Sequence, residues 1–159
     1  MATSLGFVLS SNMDARSNTD GGHFNTIYEP FLGRTGMGEM LAGNIFTLDV
    51  PLPADAQIAS AMLTFVRSYA GEAPIGLEIQ VSSDPNPPDF GIQNIVTRPL
   101  NPEVQPWSFT VLPRNGVPFS FAIGPLIQAH VARNGPVGAI CVIVRGVGNA
   151  DGLKYIAVG

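Results

Sequence analysis

The sequence predicts an all-β fold: one antiparallel β-sandwich domain of about eight strands with a single short helix. Two observations carry this. Apolar and polar residues alternate over short runs, the period of a strand with one buried face. The 18 glycines and 14 prolines are spread along the whole chain and cut those runs apart, as turns between many strands do. A length of 159 residues fits one domain, residues 1–159, large enough to fold without staples.

Taken in order, residues 6–10 read as the opening strand. Residues 13–25 carry Asp14, Arg16, Asp20, Gly21 and Gly22 with little apolar content, and a long loop is expected there. Gly33, Gly36 and Gly38 are spaced somewhat like a phosphate-binding loop. The lysine of such a loop is missing and no helical pattern follows, so a hairpin or loop is expected. In residues 44–50, Phe46, Leu48 and Val50 fall on one face, Thr47 and Asp49 on the other. In residues 61–67, Leu63 and Phe65 oppose Met62, Thr64 and Val66. Residues 75–81 give the cleanest strand, with Ile75, Leu77, Ile79 and Val81 on one side.

Residues 82–106 hold Pro85, Pro87, Pro88, Pro99, Pro102 and Pro106. Proline cannot donate to a ladder, so most of this stretch is expected to be loop, and long loops are usually functional or ordered by a partner. Residues 107–111 alternate around Trp107, Phe109 and Val111, and Phe119 and Phe121 mark a short strand. Residues 124–133 have helical spacing instead. Pro125 suits the first helical position, Asn134 and Gly135 suit the stop, and Leu126, Ile127, His130 and Val131 form the inner face. Residues 139–144 are apolar on both faces, the mark of a central strand covered on two sides. Residues 153–158 close the fold.

Catalytic and metal chemistry find little to build on. Metal sites of nitrogen and sulfur need several ligands at set spacings; the chain offers His23, His130 and Cys141, far apart. His130 is expected to be a structural histidine on the helix face and Cys141 a buried thiol acting as a small hydrophobe. An apolar strand is a poor place for a thiolate, so a Cys141–His130 pair is not favoured. No G-x-S-x-G elbow is present and no pair of acids can be named for glycoside chemistry. Asp84 and Asp89 could contact calcium, but their spacing is not that of an EF-hand, and aspartates in proline-rich turns commonly cap the turn. Trp107 is expected in the core rather than as a sugar platform. The expectation is therefore no catalytic residue, no cofactor and no metal: not an enzyme.

Charged residues make up 13% of the chain, against about 25% in ordinary domains. There is one lysine, Lys154, and the seven arginines are scattered, which argues against a nucleic-acid partner. No stretch approaches the roughly 20 apolar residues of a membrane span, and the N-terminal residues lack the basic start of a secretion signal. One cysteine excludes an intrachain disulfide. A surface so poor in charge suits a subunit packed against neighbours.

Residues 43–66 carry a resemblance. Phe46, Leu48, Asp49, Leu52, Pro53, Ala56, Ile58, Ser60, Ala61, Leu63 and Phe65 stand in places comparable to the core of DNRLRE-type jelly-roll domains, which look like carbohydrate-binding modules. Ile127, Val131, Gly135, Gly138, Ile140, Val142 and Val144 are similar to that family's helix and following strand. The resemblance covers about two thirds of the chain and mostly encodes strand, turn, strand. It implies a jelly-roll topology.

Two functions are expected from this. The first is a structural protein of a virus-like particle, a bacteriophage capsid decoration (cement) protein or a small tail or fibre component. It would be made in the host cytoplasm and sit in the virion. Such a subunit would contact other virion proteins, the major capsid protein or tail proteins, and form a homo-oligomer, a trimer being favoured. The expected contacts lie in residues 13–25 and the proline-rich stretch: Asp14, Arg16, His23, Asp84, Asp89 and Phe90. The alternative is a carbohydrate-binding module or lectin-like protein using Tyr28, Tyr69 or Trp107, with calcium near Asp84 and Asp89.

Overall fold

A computed structural model describes residues 13–18, 23–25, 31–35, 38–69, 71–148 and 154–158. Ten strands run through them: β1 (Met13–Asn18), β2 (His23–Asn25), β3 (Phe31–Thr35), β4 (Gly38–Leu52), β5 (Met62–Tyr69), β6 (Ile75–Val81), β7 (Gln105–Phe109), β8 (Pro118–Ala122), β9 (Val137–Val147) and β10 (Lys154–Val158). One helix, α1 (Gly124–Asn134), and one 3-10 turn, Ile95–Thr97, complete the set. Every strand pair is antiparallel. The class is all-β, as the alternating runs predict.

The count is ten strands among the described residues rather than about eight. The excess comes from β1, β2 and β3. Residues 13–25, expected to be a loop, contribute β1 and β2. β1 lies along β4 from Met13↔Ile45 to Asn18↔Met40, and β2 pairs back onto it. Backbone ladders need no apolar alternation, so a polar strand of this kind leaves no periodic signal. The glycine-rich stretch is a hairpin, with Arg34 opposite Glu39 and Thr35 opposite Gly38. The expected opening strand at residues 6–10 lies outside the described residues.

Hydrogen-bonded neighbours follow the order β7-β6-β9-β4-β3-β10-β5-β8. The pairings β4–β9, β5–β8 and β6–β7 are nested one inside the next. The two ends of the order meet face to face. Trp107 of β7 packs edge-on against Phe121 of β8 with centroids 5.2 Å apart, and Phe109 against Phe119 at 5.5 Å. Gln105 Nε2 also donates to the Ala122 carbonyl. Such T-shaped pairs add about 0.5–1.5 kcal/mol beyond the area they bury.

The main core lies between these layers. Leu32, Leu63, Phe65, Phe121 and Ile156 meet Ala42, Leu77, Ile79, Val81, Ile140, Val142 and Val144. At one point the layers touch through backbone: a side chain at Gly146 would run into the main chain of Gly33. The predicted alternation holds in β5 and β6. It fails at two ends. Val50 is exposed because the β4–β9 register breaks between Thr47 and Leu52, where Pro51 sits. Val111 is exposed because the β6–β7 ladder stops at Ile75↔Phe109, with Pro74 before β6 unable to extend it.

α1 matches its expected span. Pro125 occupies its first turn, Leu126, Ile127, His130 and Val131 are buried, and the Gly135 N–H bonds the Val131 carbonyl at its end. Gln128 moors it by accepting from the Ile58 N–H at 2.8 Å and donating to the Ala56 carbonyl at 3.1 Å.

β9 is covered on both faces, as its apolar run predicts. Its second face, Ala139, Cys141 and Ile143, joins Ile45 of β4 and is roofed by Phe90 and Ile95. The proline-rich stretch is therefore a cover folded onto its own sheet. It sits close: a Cβ at Gly43 would lie 2.8 Å from both the Ile95 and the Phe90 side chains.

Candidate functional site

The cover is pinned by one arginine. Arg98 is 4% exposed and its guanidinium stands 4.5 Å over the Phe90 ring. Its Nη2 donates to the Pro88 carbonyl at 2.6 Å and the Gln93 carbonyl at 2.9 Å. Nε and Nη1 are buried and have no hydrogen-bond partner among the described residues. Beside it runs a cleft of about 260 Å³ lined by Arg98, Ile95, Val96 and Leu100 from the cover and by Leu41, Gln80 and Ile143 from the sheet. At its margin Arg145 is ion-paired with Glu78, and Glu39 lies 3.7 Å from Arg34.

A polar clamp holds the other end of the cover to α1. Asn101 and Asn134 each present Nδ2 to His130 Nδ1, at 2.9 and 3.0 Å. Asn101 Oδ1 accepts from Arg133 and Asn134, and Arg133 pairs with Glu103. Burial, reinforced by Arg133, lowers the His130 pKa. The bond to Arg133 holds the Glu103 carboxyl down at about 2. The histidine expected to be structural has this role at Nδ1; its Nε2 has no hydrogen-bond partner among the described residues. Cys141 is buried, burial pushes its thiol up to about 12, and it makes no hydrogen bond to His130. That is an inert thiol at neutral pH.

A second cleft, about 320 Å³, opens at a sandwich end between Arg34, Gly76, Ser108 and Lys154. Its two cations lie opposite each other on β3 and β10, each 3.7 Å from a carboxylate, Glu39 and Glu72.

The expected contact residues separate into three groups. Asp14, Arg16 and His23 lie on β1 and β2, not on a loop. Asp84 Oδ1 accepts from the Asn86 N–H at 2.8 Å and Asp89 Oδ1 from the Gly91 N–H at 2.6 Å, so both cap turns. Phe90 is 2% exposed and packs inward, so in the free chain it offers no surface to a partner. Tyr28 lies outside the described residues, Tyr69 ends β5, and Trp107 is half-buried against Phe121. No three His, Cys, Asp or Glu side chains gather as a metal site among the described residues.

Sequence reasoning missed Arg98 and Asn101. A lone arginine between Thr97 and Pro99 carries no motif; only the aromatic Phe90 in a proline-rich stretch hinted that the segment had something to bury.

One further surface stands out. On the outside of β5 and β8 the cross-strand pairs are Met62–Ala122, Thr64–Ser120 and Val66–Pro118. None is charged, and Met62 is 58% exposed. The class these features define is an antiparallel all-β domain with a self-covered sheet and a charge-free outer face. No family model matches the chain, and no curated protein matches it.

Proposed function

We propose that the chain is a non-enzymatic structural subunit of a virus-like particle, a bacteriophage capsid decoration protein that works through protein–protein contacts. The observation that carries this reading is the charge-free outer face of β5 and β8. An isolated small domain usually keeps such a face charged for solubility. Here six adjacent positions offer methionine, valine, proline, alanine and two hydroxyls, and the Thr64 and Ser120 hydroxyls bond each other at 2.7 Å. The occupant is a neighbouring copy of the chain in a homo-oligomer, with a trimer favoured. The face carries no charge that a neighbour would have to neutralise, and β8 ends the hydrogen-bonded order, so nothing of the described chain lies beyond it in that sheet.

The nested pairing of β4–β9, β5–β8 and β6–β7 supports a jelly-roll reading, because a folded ribbon of nested antiparallel pairs is that topology's plan. Trp107, turned into the aromatic cluster, lends no support to a sugar platform.

The test is particle occupancy. Particles purified with and without the chain are compared by electron microscopy and by thermal release of their contents. The reading expects ordered density on the capsid and release at a higher temperature when the chain is present. Binding to glycans with no affinity for any particle would overturn it.

A further inference from the structure

The cleft between Arg34 and Lys154 has a feature the particle reading does not use. The register of β3 and β10 sets Leu32 opposite Ile156 and, two residues on, Arg34 opposite Lys154. Side chains two apart on a strand share a face. The face that buries Leu32 and Ile156 in the core therefore ends in two cations, one of them the chain's single lysine. Like charges directly opposite on paired strands repel. Both heads stand at the rim of the cleft. Arg34 Nη1 donates to the carbonyl of Gly148, which lines it, and Lys154 Nζ to the carbonyl of Ala73, next to the lining Pro74. Their side chains are 37% and 26% exposed, so a ligand can reach them. Glu39 and Glu72 each hold a carboxylate 3.7 Å from one cation, beyond hydrogen-bond reach, and neither residue lines the cleft. Ion pairs so loose and so exposed hold little energy. Both contacts of Arg34 use Nη1, which leaves Nη2 without an acceptor among the described residues.

We infer that this cleft binds a small organic carboxylate with a compact apolar body. The cations select the charge. A carboxylate set between them would accept from Arg34 Nη2 and Lys154 Nζ and relieve their repulsion. The other walls select the body. Pro74 and Val147 are apolar, and Ser108, exposed on β7, is the one hydroxyl among the described lining residues. Gly76 and Gly148 add no side chain, which keeps the space open. A bare oxyanion would leave the apolar walls uncovered. At about 320 Å³ the cleft sits at the small end of the roughly 300–1,000 Å³ of small-molecule pockets, which suits a body of one ring's size.

The probe is benzoate, titrated into the ¹⁵N-labelled full chain. Beside it stand benzamide, its uncharged counterpart, acetate, which lacks the ring, and inorganic phosphate, which lacks both ring and carboxylate. Benzoate should shift the Gly76, Ser108 and Gly148 amides saturably, and each of the other three should bind about tenfold more weakly. Arg34→Gln and Lys154→Gln should each weaken benzoate about tenfold. Arg114→Gln, which removes an exposed cation elsewhere, should leave it unchanged. Benzamide, acetate or phosphate binding as tightly as benzoate would overturn the proposal. So would shifts confined to other residues, or benzoate affinity unchanged in either the Arg34 or the Lys154 variant. The comparison of ligands on the native chain decides the matter even where a variant unfolds. None of these outcomes depends on a particle, so this cleft and the particle reading fail separately.

Discussion

The Asn101 side-chain amide donates to His130 Nδ1 across 2.9 Å, tying the end of the proline-rich cover to the buried face of the helix. Because Nδ1 accepts there and from Asn134, the ring is neutral, with its hydrogen on Nε2. Protonation would place a hydrogen between Nδ1 and the two amides that donate to it.

That relationship sets a pH dependence. Burial and Arg133 hold the His130 pKa below its ordinary 6.5, against a smaller opposing pull from Asp84. The unfolded chain therefore binds the proton more readily than the folded one. The contribution to stability is complete above 6.5 and is lost as pH falls below it. Glu103, held at about 2, acts lower: its contribution is present above 4.5 and is lost toward 2. Urea midpoints across this range should fall in two windows. His130→Gln should flatten the upper one and Glu103→Gln the lower. An upper window unchanged in His130→Gln would refute the assignment.

The aromatic closure between β7 and β8 predicts a large truncation effect. Phe121 is fully buried and touches Trp107, Phe109, Phe119 and Phe65. Phe121→Ala should cost about 3–5 kcal/mol in chemical denaturation. A loss under about 1 kcal/mol would mean that the site collapses freely, and that the two ends of the sheet are not held by this cluster.

The cover predicts thiol behaviour. Cys141 lies beneath Phe90 and Ile95, with its thiol at about 12. The native protein should react with an aromatic disulfide reagent only as fast as it opens. Phe90→Ala should speed that labelling at least tenfold without unfolding the main core, since Phe90 belongs to the separate outer cluster. Immediate stoichiometric labelling of the native chain would contradict the cover.

The contact of Gly146 with Gly33 predicts intolerance to a single methyl. Gly146→Ala should cost about 3 kcal/mol, because the obstruction is backbone and cannot swing aside. Thermal unfolding of the variant decides this; a neutral result would mean that the layers can separate there.

Much of the fold was legible in the sequence where side chains decide it. Ile75, Leu77, Ile79 and Val81 alternate because one face of β6 is buried, and Pro125 with Gly135 frames the helix because their backbones start and stop it. β1 and β2 were not legible, because a polar strand held by its ladder to β4 has no periodic signature. The candidate site was less legible still. Arg98, Phe90 and Pro88 lie within eleven residues, but what they build depends on Ile143 and Leu41 from distant strands. Local spacing cannot report a cleft whose second wall is tertiary. Asp84 and Asp89 were readable as turn caps from the prolines around them.

The central claim, that the charge-free face of β5 and β8 is covered by neighbouring copies, is tested most directly by solution mass. Light scattering on the eluting native chain should give three times the 16.7 kDa protomer mass, and Met62→Glu with Val66→Glu should reduce it to one. A native chain that elutes at one protomer mass at tens of micromolar, or a mutant that keeps the native mass, would contradict the account.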